Sequence, residues 1–504
     1  MIHKEKIGLL SATFMGISAI IGSGWLFSPY VAAHISGPAA ILAWIIGAII
    51  VLVLGLCFSE IAALYPLRGL SAVITSISHN KYFGFPFAIA NWLGIIAVVA
   101  LEADATIQYL INLFPTIDHL FYSNHQMTPL GNGCAAILVL FYSIINFWGV
   151  KLLAKTNNII TLLKLFIPLL TIIVVAFTAF HPQNFTADRG NVMPYGFSSV
   201  IATILAAGII VSFNGFQSIV SFASEIKKPH RTIPMALCLS ISTCLVIYLL
   251  LQIVFIAALP PELLQSGWHQ LAMSAPMVQL TGLIGLNFFA IILYTGATVA
   301  PLGTAITFTG SASRMFTAMA RQKQMPKYFD HVHEKYGVSR RSLIFNTILA
   351  LIFLFLFKSW SDLAEVLGLF HVLSYITVPL AMTVFRQETR RSDYKFYLPG
   401  GGIIALLLFF VFNYLISFGS VRIVSELVIM IIVFQVIFVF SNIKHESAEK
   451  LIQYLKSTLT LMSYMILLPL MSYLQHFTSI GISLVIIIGF SMLYFYLLTN
   501  KRFR

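Results

Sequence analysis

Ile-Ile-Gly-Ser-Gly-Trp, residues 20–25, lies in the middle of an apolar segment that runs from about Leu9 to Val31. Glycine loosens a helix, and irregular backbone at membrane depth is tolerated only where it is buried in protein or lines a cavity. A second weak point, Phe213-Asn214-Gly215-Phe216, interrupts another apolar segment that begins near Val200. Paired interruptions in the two halves of an apolar chain are typical of secondary transporters built from inverted repeats.

The composition predicts an all-α polytopic membrane protein. Of the 504 residues, 59% are apolar and only 9% are charged, whereas soluble proteins are about 25% charged. Apolar runs near 20 residues recur from end to end, which is the length that a membrane-crossing helix needs. We predict fourteen spans, near residues 9–33, 38–65, 85–114, 132–150, 157–180, 198–224, 234–259, 280–312, 342–357, 361–385, 401–418, 421–441, 456–475 and 478–498.

The net charge of +13 could suggest a nucleic-acid partner, but its distribution along the chain indicates a lipid bilayer instead. With fourteen spans, 26 of the 30 Lys and Arg residues fall on the side of the two termini, three fall on the opposite side, and Lys164 lies inside a span. Cytoplasmic loops carry the excess of Lys and Arg in membrane proteins. We therefore expect a multi-pass protein of the cell membrane with both termini in the cytoplasm.

The cysteines predict neither a metal site nor a disulfide framework. Their spacing matches no pattern of either kind, and all of them fall in predicted spans. These four residues are Cys57, Cys134, Cys238 and Cys244. We expect no cofactor, no metal and no catalytic residues.

Four local patterns are more specific than the glycine break alone. They read IIGSGWLFSPYVAAHISGPAAILAW from residue 20, FSEIAALYPLRGLSA from residue 58, SFNGFQSIVSFASEIKKPHRTIPMA from residue 212 and GSASRMFTAMARQKQMPKYF from residue 310. Together they resemble the amino acid–polyamine–organocation superfamily, whose members carry amino acids across membranes. The resemblance covers roughly residues 9–400 and looks most like the aspartate–proton symporter-like branch. One loop departs from the usual Pro-x-x-Gly-Gly, since here it reads Pro66-Leu-Arg-Gly69-Leu70.

This resemblance implies a five-plus-five inverted repeat of the leucine-transporter type, in which the first and sixth helices are discontinuous. Residues 1–395 would form the transporter core of ten helices. Residues 396–504 would add four peripheral helices, two more than most of the superfamily has.

The two interruptions predict a substrate site. The amides of Ser23, Gly24 and Trp25 would face a substrate carboxylate at the start of a half-helix, and nearby carbonyls would accept from its ammonium. The alternative is a close-packing glycine pair in an unbroken helix. The predicted substrate-binding residues are Ile20, Ile21, Gly22, Ser23, Gly24, Trp25, Glu102, Phe213, Asn214 and Gly215.

Glu102 lies in the middle of the third predicted span. A charged carboxylate there costs about 2.5–3.5 kcal/mol on insertion scales, so it should face a cavity or a partner, or be protonated. It could carry the coupled proton, contact a substrate amine, or bond to a neighbouring helix. Asp104 is about 200° further around the helix, so the two acids cannot face one site.

Lys164, in the fifth span, is the second candidate for proton coupling. A lysine removed from water gives up its proton readily. In proton-coupled members of the resembling family, a lysine at this place stands beside spans one and eight, where sodium-coupled members hold a cation. The alternative is that Lys164 snorkels to the cytoplasmic surface, since Lys155 is only nine residues earlier.

Two further groups invite a functional interpretation. His371, one turn before Tyr375, could relay protons, but such a histidine more often donates to a backbone carbonyl. Glu225 and Arg231 lie at the predicted cytoplasmic end of span six, where prolines separate two helices. We predict an inner gate there; loop anchoring is the alternative.

The leading functional prediction is a secondary transporter that imports an amino acid with a proton. Nucleotide hydrolysis is not indicated, because no GxxxxGK[ST] motif is present. An antiporter that exchanges its substrate for a related amine or amino acid is the alternative within the class. A channel or a transport-inactive sensor on the same fold is the alternative outside it. The sequence leaves the substrate and the oligomeric state open.

Overall fold

The structure is a computed structural model, and it describes most of the chain. The described residues are 7–67, 70–114, 116–123, 126–148, 151–188, 190–333, 338–442 and 448–501, with backbone alone at 71–73, 151–159 and 448–453. Gly69 of the departing loop and the charged terminal residues, Lys4 and Arg504 among them, lie outside these ranges.

The described residues form α-helices joined by short turns and one hairpin of two-residue strands, Tyr122–Ser123 and Gln126–Met127. In chain order the helices are α1 (Leu9–Ile20), α2 (Gly24–Ser36), α3 (Ala40–Leu64), α4 (Leu70–Ser78), α5 (Lys81–Ile111), α6 (Asp118–Phe121), α7 (Pro129–Phe147), α8 (Lys151–Thr178), α9 (Gly196–Ala206), α10 (Ile209–Ser212), α11 (Gln217–Ser221), α12 (Pro229–Ala258), α13 (Pro276–Leu283), α14 (Asn287–Arg321), α15 (Arg340–Leu356), α16 (Trp360–Tyr375), α17 (Thr377–Glu388), α18 (Gly401–Ser417), α19 (Val421–Asn442), α20 (Ala448–Phe477) and α21 (Ile480–Thr499).

These helices confirm a polytopic membrane protein. Ten helical runs among the described residues are long and apolar enough to cross a membrane. Shorter apolar helices accompany them, including α1, α9 and α18. The count of fourteen spans stays a prediction, because shorter and broken helices contribute to it.

The eighth predicted span, 280–312, begins and ends several residues before the helix that the structure shows. Helix α14 begins at Asn287 and continues to Arg321. Its second half is rich in Thr and Ser, which lowers hydropathy without ending the helix. Thr304 and Thr309 donate to carbonyls one turn back, at 3.1 and 2.7 Å, so these hydroxyls are satisfied inside the helix.

Helix α5 is the centre of the bundle. Nearly all of its apolar stretch is buried inside the protein. Trp92 stacks on Phe316 of α14 with ring centroids 4.6 Å apart, and a Cβ on Gly94 would lie only 2.8 Å from the His371 ring on α16. A side chain on α5 therefore faces protein rather than lipid, and this explains why Glu102 and Asp104 are both buried.

A buried ion pair joins α3 to the end of α17. Arg386 donates to both carboxylate oxygens of Glu60, at 2.7 and 2.6 Å, and also to the Leu398 carbonyl. The Leu398 amide donates to Glu60 in return, at 2.7 Å. The pair is bidentate, and both carboxylate oxygens of Glu60 accept hydrogen bonds, which is the arrangement that offsets the desolvation of two charges.

Candidate functional site

The first predicted break is present. Helix α1 ends at Ile20, α2 begins at Gly24, and Ile21 between them has extended backbone. Both glycines of the break touch other helices. A Cβ on Gly24 would collide with the Ser212 hydroxyl, and one on Gly22 would lie 2.8 Å from Glu102 Oε1. Small residues are needed here because other elements approach the backbone.

The second break is wider than Phe213–Phe216. It begins at Gly208, whose φ of +67° is left-handed, and only one turn of helix, α10, precedes Phe213. Gly215 has a φ of +107°, and a Cβ there would collide with the Ala19 carbonyl. The two broken segments therefore touch, and glycine is required on both conformational and steric grounds.

A cavity of about 30 Å³ lies between the two breaks, which is room for about two water molecules. Six of the ten predicted substrate-binding residues line it, namely Ile20, Gly22, Ser23, Gly24, Glu102 and Asn214. The other four, Ile21, Trp25, Phe213 and Gly215, support the broken backbone without lining the cavity. An amino acid can enter only if the surrounding helices separate.

The Glu102 carboxylate is placed where we expected the carboxylate of a substrate. The Ser23 amide, at the start of α2, donates to Glu102 Oε1 at 3.3 Å. The side chain is 3% exposed, and Oε2 has no hydrogen-bond partner among the residues that the structure describes. Glu102 thus places a carboxyl oxygen at the N-terminus of a half-helix, where an anion is favoured.

Lys164 does not reach the surface of the protein. Its side chain is 7% exposed, and its ammonium donates to the Thr304 hydroxyl at 2.7 Å. Thr304 lines the cavity beside Gly22. Lys164 therefore stands behind the cavity wall, bound to the eighth predicted span, and does not snorkel.

Asn214 organises a hydrogen-bond network on the opposite wall. Its Oδ1 accepts from the Gly215 amide, from Gln217 and from Tyr375, at 3.0, 2.6 and 3.2 Å. Its Nδ2 is thereby left to donate to His371 Nε2, at 3.2 Å. Since His371 Nδ1 donates to a backbone carbonyl at 2.9 Å, this histidine is neutral, with its proton on Nδ1.

Trp360 closes the cavity on the side towards the end of α2, and sequence reasoning missed it. Its indole stacks on Phe27 with centroids 4.7 Å apart and donates to the Ser23 hydroxyl at 3.4 Å. Beyond it lies a vestibule of about 380 Å³, lined by residues that include Tyr30, His34 and Gln108. A tryptophan at the end of a span is ordinary in membrane proteins, so the sequence carried no signal for this role.

The predicted inner gate lies at the opposite side, where α1 begins. The Glu225 carbonyl accepts from the Ile7 amide, and the Lys227 amide donates to the Ile7 carbonyl, both at 2.9 Å. Arg231 is exposed in the first turn of α12. The chain near the N-terminus is thus attached to the segment that joins α11 to α12. Gating by Glu225 and Arg231 stays a prediction.

Comparison with known proteins agrees with this architecture. A family model described as amino acid permease matches residues 7–440. The chain is 38% identical over 411 residues to the glutamate/serine transporter AimA of Bacillus subtilis (strain 168), an alignment that covers 81% of this chain and 76% of that protein. It is 30% identical over 480 residues to the aspartate-proton symporter of the same organism, covering 94% and 91% of the two chains. These relatives are named as transporters, not enzymes. The chain therefore belongs to the amino acid permease family, a family of multi-pass membrane proteins that transport amino acids.

Proposed function

We propose that this protein is a secondary active transporter that imports an amino acid together with a proton across the cell membrane. The observation that carries the proposal is the bond between the Ser23 amide and the Glu102 carboxylate. The amides at the start of a half-helix are the groups that would hold a substrate carboxylate. Glu102 and the substrate therefore compete for one site.

Protonation would decide this competition. Two carboxylates at one site cannot both keep their charge at low cost. A proton on Glu102 neutralises it and frees the Ser23 amide for the substrate. Its unpartnered Oε2 is an acceptor for the substrate ammonium or the site of that proton. Substrate and proton would then bind together, which is the requirement for symport.

Lys164 is the second candidate for the coupled proton. Within the described part of the chain, its ammonium donates to the Thr304 hydroxyl, which lines the cavity. A change of charge on Lys164 would alter its hydrogen bond to Thr304, whose side chain lies beside Gly22 in the first break. Either group can therefore link proton movement to substrate movement, and mutation separates them.

Alternating access would use the two sides of the cavity in turn. Trp360 would open towards the vestibule, and the segment around Glu225 and Arg231 would open towards the cytoplasm. The five-plus-five repeat, the division into 1–395 and 396–504, the fourteen spans and the cytoplasmic termini belong to this proposal. No cofactor takes part in it.

The test is transport by purified protein in liposomes, with and without an inward proton gradient. The first substrates are glutamate, serine and aspartate, which appear in the names of the two Bacillus relatives. We expect a gradient to drive accumulation of at least one amino acid. Glu102→Gln keeps the shape but cannot titrate, so its uptake should lose its dependence on pH. Uptake that is the same with and without the proton gradient would contradict symport and favour exchange.

A further inference from the structure

A second cavity, far larger than the one between the broken helices, lies at one end of the bundle. It has a volume of about 730 Å³ and lies where α5 begins and α14 and α19 end. Among the described residues its rim carries the cations Lys81, Arg321, Lys323 and Lys327 and one carboxylate, Asp330. The volume is in the range of binding sites for small molecules, and the charge balance of the rim is strongly positive.

The depth of this cavity matches the headgroup layer of a bilayer. Lys81 begins α5, and Gln108, near the other end of the same helix, lines the vestibule. At 1.5 Å per residue the two stand about 40 Å apart. A bilayer with its headgroups is about 40–45 Å thick. If the vestibule lies in one headgroup layer, the cations of the cavity therefore lie in the other, at the level of the lipid phosphates.

The cavity also has an apolar wall that continues onto the lipid-facing surface. Phe85, Phe434 and Ile437 line it. Ile437 is 57% exposed, and Phe440 on the next turn of α19 is 70% exposed. A molecule with a phosphate in the basic rim can therefore extend an acyl chain along the exposed surface of α19 while its phosphate stays in the rim.

The backbone holds one of these cations in a conformation that usually belongs to glycine. Lys323 has a φ of +61°. The turn is a helix C-cap in which the Gln324 amide donates to the Met319 carbonyl and the Lys323 amide to that of Ala320. Glycine is the usual residue at this position. A lysine there is a conformational outlier of the kind that motivates a functional hypothesis for its side chain.

We propose that this cavity binds an anionic glycerophospholipid, with its phosphate among the four cations and an acyl chain against α19. Basic pockets between membrane helices on the cytoplasmic side are suited to such headgroups. The predicted topology places this end in the cytoplasm. Because α5 and α14 also carry Glu102 and Thr304, the lipid contacts two helices that build the central cavity.

Binding of a fluorescent phosphatidylglycerol to the purified full chain in detergent tests the proposal. Lys323→Gly with Lys327→Gln removes two charges, and glycine suits the backbone at position 323. At about 1 kcal/mol for each cation, affinity should fall about thirtyfold. The control, Arg390→Gln with Lys395→Gln, removes two exposed cations elsewhere and should bind as the original chain does.

Two competitors identify the ligand. Unlabelled phosphatidylglycerol should displace the probe, whereas phosphatidylcholine should not. Free glycerol 3-phosphate should fail at concentrations where the lipid succeeds, because it lacks the acyl contact. Equal binding by the cavity variant and the control would overturn the site. Displacement by glycerol 3-phosphate as effective as that by the lipid would overturn the lipid as its ligand.

Discussion

Because Gly24 has no side chain, the first and second breaks can come into contact beside the central cavity. Its backbone lies against Ser212, whose hydroxyl also contacts the Ser28 hydroxyl at 3.1 Å. The first and second breaks are therefore in contact at the level of single atoms. Any side chain at position 24 would push them apart and would favour a continuous helix over a broken one.

We predict that Gly24→Val abolishes uptake while the protein still reaches the membrane. Overpacking costs about 1–3 kcal/mol, and here it falls on the site. Gly489→Val is the matched control, because no atom of the described residues lies within 4 Å of the position that a Cβ on Gly489 would take. Uptake and surface expression should be measured side by side. Normal uptake by Gly24→Val would mean that the break is not the substrate site.

Lys164 gives a second prediction at this scale. Arginine keeps a charge that cannot be released near neutral pH, so Lys164→Arg should stop gradient-driven uptake. Lys164→Ala should retain exchange of substrate but lose accumulation. Lys358→Arg changes an exposed cation in the same way and should leave both activities intact.

Concentrative uptake and exchange can be measured in the same liposomes. Full concentrative uptake by Lys164→Arg would remove Lys164 from the coupling mechanism. Glu102 would then be the remaining candidate. Loss of uptake in both Glu102→Gln and Lys164→Arg would indicate that the two groups act together.

At the scale of elements, the ion pair between Glu60 and Arg386 determines how α3 meets α17. The two side chains are 0% and 13% exposed. Removing one partner leaves the other charged and unpaired inside the protein, whereas a solvated pair contributes little. The exposed pair Arg422–Glu426, on α19, is the natural comparison, with side chains 79% and 41% exposed.

We predict that Arg386→Ala destabilises the fold by about 3 kcal/mol, near the lower end expected for a broken buried pair, because Arg386 keeps some contact with solvent. Arg422→Ala should cause no measurable change. Thermal unfolding of the purified variants in detergent would compare them. Equal melting temperatures for the two variants would show that the buried pair does not stabilise this junction.

At this scale the sequence predicts features that depend on neighbouring residues, and it does not predict contacts between residues far apart in the chain. The break at residues 22–24 is visible because glycine inside an apolar run is a local conflict. The contact of Glu102 with Ser23 joins residues 79 apart, and that of Arg386 with Glu60 joins residues 326 apart. Their pairing depends on which helix faces meet. The role of Trp360 was invisible for the same reason.

At the scale of the whole molecule, α5 connects the two ends of the protein. One end lines the basic cavity and the other lines the vestibule, and Glu102 lies between them. The central cavity, at about 30 Å³, is too small for an amino acid, so a transport cycle requires one end to open while the other stays closed. Which end faces the cytoplasm then decides the side of the membrane on which each opening admits substrate.

Sidedness is the last prediction. The 26-to-3 distribution of Lys and Arg places the basic cavity inside the cell and the vestibule outside, by the positive-inside rule. Ser361 lines the vestibule, and Lys327 lines the basic cavity; both are exposed. In a background without reactive cysteines, a membrane-impermeant maleimide added to intact cells should label Ser361→Cys and spare Lys327→Cys. After the cells are permeabilised, both should react, which confirms that Lys327→Cys is accessible. Labelling of Lys327→Cys alone in intact cells would invert the topology, and with it the side from which Trp360 admits substrate.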